Sequence, residues 1–173
     1  MKFNTKLLHG KAGRNTPDGA TLPGISQVSA FSYDSAEHLE KVFGNKAPGF
    51  AYTRIGNPTV AAFEQRINEV EGGTGAVACA SGMAAITSAL LNILSAGDEI
   101  IAGSGLFGGT IDLFKDLEAF GITTHFIPHI TVEDIKPVLN KNIKAVFGEI
   151  IGNPGLDVVN IKEVSDFLHE NGV

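Results

Sequence analysis

The chain has a single cysteine, Cys79, so no internal disulfide framework exists and a reducing, cytoplasmic setting fits. Basic charge is also scarce. Thirteen Lys and Arg against nineteen Asp and Glu leave a formal net charge of −6. No basic cluster forms, which argues against a nucleic-acid partner. No apolar run is long enough to cross a bilayer: the longest near-apolar stretch, 84–94, is interrupted by Thr87, Ser88 and Asn92. No membrane partner is therefore expected. The first residues lead straight into polar sequence and do not read as a signal peptide. The histidines, His9, His38, His125, His129 and His169, show no ligand spacing, so no metal site is expected. His125 and His129 are four apart, but Pro128 between them argues against a shared helical face. The glycine spacing of a dinucleotide fingerprint and the Gly-Lys of a P-loop are missing as well.

What is present is an apolar content of 43%, enough for a core, and 21 glycines gathered at a few turns. Residues 1–57 carry Gly10, Gly13, Pro17, Gly19, Pro23, Gly24, Pro48 and Gly49 with one short amphipathic stretch, 37–43. Such a segment buries little by itself, and Ile25, Val28, Phe31, Phe43 and Phe50 need a surface to pack on. It is expected to be an arm lying on the body or on a partner subunit.

The body, 58–173, opens at Asn57-Pro58, a good N-cap followed by proline at the first helical position, and its first helix stops at Gly72-Gly73. Residues 76–80 read as a short buried strand. A helix follows Ser81-Gly82-Met83 to about Leu94. Strands are expected at 98–102, 122–127 and 144–150, with helices at 110–119, after Thr131, and after Asn160. Strands alternating with helices predict an α/β fold with a mainly parallel sheet. The last helix closes at Asn171-Gly172 where a further strand is due, so the reading is of a truncated first part of a larger domain.

Three glycine-rich turns follow the expected strands. In open parallel sheets, ligands collect beyond the carboxyl ends of strands. Ser81-Gly82-Met83 offers free backbone N–H groups at a helix N-terminus, where an anion is favoured; read alone, it is either an ordinary helix cap or a phosphate cradle. The turn 103–109 carries Phe107 between glycines, as a core plug or as a platform for a planar ligand. In the third turn Asn153 precedes Pro154, and it either starts a turn or bonds a ring substituent. Tyr52-Thr53-Arg54 lies in the arm, and Arg54 suits a phosphate or carboxylate. A phosphate plus a flat ring, without nucleotide fingerprints, points toward pyridoxal phosphate.

The segments Tyr52-Thr53-Arg54-Ile55-Gly56-Asn57-Pro58-Thr59, Glu71-Gly72-Gly73, Ala80-Ser81-Gly82-Met83-Ala84-Ala85, Gly97-Asp98-Glu99-Ile100 and Leu106-Phe107-Gly108-Gly109-Thr110 come in this order. With them the chain resembles the transsulfuration, or Cys/Met-metabolism, family of fold-type I pyridoxal-phosphate enzymes, from about Asn4 to Val173. The look is closest to O-acetylhomoserine sulfhydrylases, through 37–52 and Glu149-Ile150-Ile151-Gly152-Asn153-Pro154. The resemblance implies that Ser81, Gly82 and Met83 cradle the cofactor phosphate. It implies that Tyr52 and Arg54 reach the cofactor phosphate of a neighbouring subunit. Asn153 would contact the cofactor's phenolic oxygen or the substrate carboxylate side. Phe107 would stack on the pyridine ring. Most of the family has Tyr at that position, so Phe107 keeps the stacking face without the proton donor, and Tyr52 of a partner would take over that role and touch the amino-acid substrate.

The resemblance puts the lysine that links to the cofactor, and the acid paired with its ring nitrogen, after the last helix seen here. Lys141 and Lys144 fall at the start of a strand, on the edge away from the glycine turns; Lys115 and Lys162 read as solvated helix charges. The resemblance therefore implies γ-replacement of acetate on O-acetylhomoserine by sulfide or a thiol in a longer, cytoplasmic homo-oligomer, a dimer of dimers, with this part inactive alone. Methionine γ-lyase, cystathionine γ-synthase or lyase, and a non-catalytic truncated module are the alternatives.

Overall fold

The computed structural model describes residues 2–10 and 19–173. Gly13 and Pro17, counted above among the turn formers of the arm, lie outside the described residues. The chain divides into two compact units, 1–78 and 79–173. The expected boundary at Asn57-Pro58 falls inside the first of them.

The first unit holds helices α1 (Phe3–His9), α2 (Ala36–Phe43) and α3 (Pro58–Glu71). Composition gives no hint of α1, whose seven residues bury no side chain. Its last turn is held from outside: Arg66 of α3 donates from Nη1 to the carbonyls of Lys6 and Leu7 at 3.0 and 2.7 Å, a cation at a helix C-terminus. α3 begins as expected, with the Asn57 side chain accepting the Thr59 N–H, and ends at Gly72, which takes the left-handed φ of 69°. Between α1 and α3 the chain is tied by polar contacts. The Tyr33 hydroxyl both donates to the Phe50 carbonyl and accepts the Phe50 N–H, each at 3.1 Å. Gly49 has φ 154°, and a Cβ there would run into that hydroxyl.

The second unit holds a three-stranded parallel sheet, order β2-β1-β3, from β1 (Glu99–Gly103), β2 (Thr123–Ile127) and β3 (Ile143–Phe147). Its helices are α4 (Gly82–Ile93), α5 (Gly108–Leu117), the single turn α6 (Val132–Ile135) and α7 (Ile161–Glu170), with a short 3-10 turn at Glu118–Phe120. β1 is central, so both its faces must be apolar. Ile100 and Ala102 face a cluster with Leu90, Leu94, Phe114 and Leu117 of α4 and α5. Ile101 faces the other way, to Ile135, Val164 and Leu168 of α6 and α7. The period of two along β1 thus builds two cores on one strand. Ser81, Thr131 and Asn160 cap α4, α6 and α7 as read from the sequence.

One expected strand is absent. Residues 76–80 form no ladder among the described residues. The Ala78 N–H is given instead to the Glu64 carboxylate of α3 at 2.8 Å, and Val77 stays 84% exposed. An apolar run is a strand only where a neighbour offers its backbone, and here a side chain takes the donor. The strand expected over 144–150 runs only from Ile143 to Phe147, because its ladder with β1 ends there.

Candidate active site

β1 and β3 are parallel neighbours, with Ala102 opposite Phe147, so the turns that leave them emerge side by side. A Cβ on Gly103 would lie 3.0 Å, and one on Gly148 2.9 Å, from Ile130 Cγ1. Both turns therefore start on glycine because the Ile130 side chain lies across them. Beyond this point the turns are tied together. The Asn153 N–H donates to the Gly105 carbonyl at 3.2 Å, and the Phe107 N–H donates to Glu149 Oε1 at 2.8 Å.

Phe107 is the N-cap of α5 and is 55% exposed. Its ring lies back over the first turn of its own helix. A Cβ on Gly109 would come within 2.6 Å of the ring, so a side chain at this position would displace the ring from where it lies. Asn153 opens a turn with a cis bond to Pro154. The structure thus brings two of the sequence-predicted residues, Phe107 and Asn153, into one hydrogen-bonded pair of turns.

The Ser81-Gly82-Met83 turn meets the same region through α5. Met83 Sδ is 3.9 Å from the Thr110 hydroxyl, and Thr110 is 1% exposed in the first turn of α5. Ser81 Oγ accepts the Ala84 N–H, and the Ser81 carbonyl accepts that of Ala85. Among the described residues the Gly82 and Met83 N–H groups have no acceptor, as expected for the first turn of a helix. A Cβ on Gly82 would meet nothing within 4 Å. The turn is open to an approaching anion.

Tyr52 and Arg54 belong to the first unit. Tyr52 forms an isolated antiparallel bridge with Ala30. The Thr53 N–H donates to the Ser29 carbonyl at 2.8 Å, and the Thr53 hydroxyl donates to the Val28 carbonyl. Asn57, 5% exposed, donates to Ser26 O at 3.0 Å and Thr53 Oγ1 at 3.2 Å. These bonds fix a turn from which both side chains project. The Arg54 guanidinium carbon stands 5.3 Å from the Tyr52 ring centroid, a cation–π distance.

Two residues gain a part that the sequence reading does not give them. Thr110 is buried beneath the α4 turn. Glu149 reaches across to the Phe107 backbone, where the sequence reading has it only as a neighbour of the Asn153 turn. The lysines stay where they were expected. Lys115 and Lys162 are exposed and pair with Asp112 at 3.3 Å and Asp166 at 2.6 Å on their own helices, and Lys144 lies in the first half of β3. No group of His, Cys, Asp and Glu that could hold a metal occurs among the described residues, and no helix there is long and apolar enough to cross a membrane.

Similarity to known proteins runs over nearly the whole chain. The chain is 40% identical to an O-acetyl-L-homoserine sulfhydrylase of Corynebacterium glutamicum, over 99% of this chain and 40% of that protein. It is 36% identical to an L-methionine gamma-lyase of Fusobacterium nucleatum subsp. polymorphum, over 98% of this chain and 43% of that protein. Its fold matches, with a TM-score of 0.87 and 29% identity, a crystal structure from Campylobacter jejuni described as an O-acetylhomoserine (thiol)-lyase that carries N′-pyridoxyl-lysine-5′-monophosphate. That match covers 98% of this chain and 42% of that one. The chain therefore spans about 40% of the length of the curated relatives it matches. The model of the Cys/Met metabolism PLP-dependent enzymes matches residues 4–173, and the chain belongs to that family.

Proposed function

We propose that this chain supplies the phosphate cradle and the ring-stacking face of an O-acetylhomoserine sulfhydrylase-like transferase. The whole protein would replace the acetate of O-acetylhomoserine with sulfide or a thiol, giving homocysteine or methionine. The observation that carries the reading is the open first turn of α4 beside the paired turns that hold Phe107 and Asn153. The similarity to the Corynebacterium glutamicum sulfhydrylase supports the choice of reaction.

The residues present fit the phosphate and ring of pyridoxal phosphate. Free N–H groups of Gly82 and Met83 suit the phosphate, and no Cβ at position 82 would block its approach. When bound, the cofactor supplies an electron sink for bonds broken at the amino-acid carbons. Phe107 would cover one ring face and exclude water from it. Asn153 would orient the ring or the substrate carboxylate through its side-chain amide. Phe107 has no hydroxyl, so a proton for the leaving group would come from Tyr52 of a neighbouring copy. Arg54 of that copy would hold the phosphate. Exposed apolar side chains of the first unit, among them Ile25, Val28, Ile55 and Phe63, support a homo-oligomer, for which the resemblance implies a dimer of dimers. The exposed thiol of Cys79 supports a reducing cytoplasmic setting.

The resemblance puts the cofactor-linking lysine outside these residues, and Lys115 and Lys162 are exposed and paired with Asp112 and Asp166 on their own helices, so the 173-residue chain by itself is expected to be inactive. The test uses the complete protein that carries this chain. It is incubated with O-acetylhomoserine and sulfide, and separately with methionine. Homocysteine in the first and no product in the second is the expected result. α-Ketobutyrate and methanethiol from methionine would overturn the transferase reading in favour of a γ-lyase.

A further inference from the structure

Helix α5 begins without a cap of its own. Phe107 at the N-cap has no polar side chain, and the first turn of the helix holds no acidic residue. Such a start leaves backbone donors without partners and the positive end of the helix dipole without a counter-charge. The missing part comes from elsewhere in the sheet. Glu149, two residues beyond the β1–β3 ladder, turns its carboxylate back and accepts the Phe107 N–H at 2.8 Å, across 42 residues of sequence. The pairing is reinforced nearby. Asn153 N–H donates to Gly105 O at 3.2 Å, and a Cβ on Gly152 would stand 3.1 Å from the same oxygen, so a side chain there would push the turns apart.

We propose that Glu149 is a positioning residue. It fixes the backbone of Phe107, and through it the ring that covers the cofactor, and it locks that ring to the Asn153 turn. The inference rests on the reading of Phe107 given under Proposed function. A carboxylate suits this place for two reasons: its bond to the N–H is charge-assisted, and its charge complements the α5 terminus. The same charge keeps a second anion away from α5. The cofactor phosphate is thereby left to the α4 turn, the neighbouring helix start that stays open.

The experiment compares Glu149→Ala and Glu149→Gln in the complete protein. Amide hydrogen exchange at Phe107 is read first in the cofactor-free protein, so this measurement depends on neither cofactor nor activity. Visible circular dichroism of bound pyridoxal phosphate and the kcat for the acyl-homoserine substrate are read next. E149A is expected to speed exchange at Phe107 by about tenfold or more. It should weaken the dichroic band and lower kcat more than it raises KM. E149Q keeps an acceptor oxygen and is expected to restore most of each signal. If E149A does not fold, E149D, whose carboxylate is one methylene shorter, is expected to move exchange and dichroism together. Unchanged exchange in E149A or E149D overturns the proposal. So does faster exchange with an unchanged cofactor band, because Glu149 would then only stabilise the turn. Failure of the sulfhydrylase reading appears separately, as the absence of homocysteine from the unaltered protein.

Discussion

Among the described residues, every buried apolar side chain except Val42 lies in residues 79–173. There, Ile100, Ile101, Ala102 and Phe114 are fully buried between helices on both faces of the sheet. In residues 1–78 the large apolar side chains point outward instead: Phe3, Ile25, Phe43, Ile55 and Phe63 are all more than half exposed. The first unit is held by polar ties, namely Tyr33 to Phe50, Arg66 to α1, Glu64 to Ala78, and Asn57 to Ser26 and Thr53. One unit draws its stability from removing apolar surface from water, the other from satisfying backbone donors and acceptors. The sheet unit fixes the N-terminal turns of α4 and α5 on buried apolar faces, and the first unit leaves its large apolar side chains exposed.

The largest effect that would break this contrast is expected at Phe114. Its ring makes edge contacts with Phe147 at 5.3 Å and Phe126 at 6.3 Å, and it is fully buried. Phe114→Ala removes those contacts and leaves a cavity, costing about 3–5 kcal/mol in urea unfolding of the complete protein. Phe63→Ala, on the exposed face of α3, is expected to stay within about 0.5 kcal/mol in the dissociated protein. Equal losses at the two positions would mean that the first unit has a core of its own, and the comparison would fail.

How much of this was legible in the sequence follows the same division. Local chemistry was readable. Asn57, Ser81, Thr131 and Asn160 each accept the N–H that their capping pattern predicts, and Gly72 and Gly121 take the left-handed conformations expected at helix ends. The three strands fall within a few residues of their apolar runs, because β1 is buried at nearly every position and β2 and β3 pair with it in parallel on either side. Non-local chemistry was not readable. Residues 76–80 have the composition of a strand, but their donor goes to Glu64, fourteen residues back. Helix α1 rests on Arg66, sixty residues away. At the site, Phe107 and Asn153 stand out as an aromatic and an amide in glycine-rich turns. The two bonds that join their turns, Asn153 N–H to the Gly105 carbonyl and Phe107 N–H to Glu149, leave no mark in a local window.

A smaller effect sharpens the comparison on the other side. Asn57 caps α3 through its carbonyl oxygen and donates twice from its amide nitrogen. Asn57→Ala removes all three bonds and leaves Ser26 O and the Thr59 N–H unpaired, at a cost of about 1–3 kcal/mol. Hydrogen exchange should rise in 24–29 and at the start of α3, with β1 and α5 unchanged. Asn57→Asp keeps the cap but loses the donors, and should fall between the two. Exchange that rises equally across the sheet would show that the two units unfold as one.

The mildest test uses acid. Glu99 opens β1 on the edge away from the glycine turns, with 19% of its side chain exposed. Its carboxylate accepts from Asn140 Nδ2 at 2.9 Å and Asn142 Nδ2 at 3.0 Å, and His125 Nε2 lies 2.6 Å away. The two amides, then the histidine, favour the ionised form, and they lower the pKa from 4.5 to about 2 against a small opposing effect of burial. The folded value is below the unfolded one, so the unfolded chain binds the proton first. The stabilisation is complete above pH 4.5, shrinks as the pH falls through this window, and is gone below about 2. Glu99→Gln should lower stability at neutral pH and flatten the acid limb of the stability curve over that window. Asn57 and Thr59, which tie the first unit, carry no titratable side chain. Hydrogen exchange during acid titration should therefore rise in the Glu99, Asn140 and Asn142 neighbourhood while the Asn57 neighbourhood holds. An acid limb that Glu99→Gln leaves unchanged would show that the triad of partners contributes nothing to stability and that the sheet unit rests on its apolar cores alone.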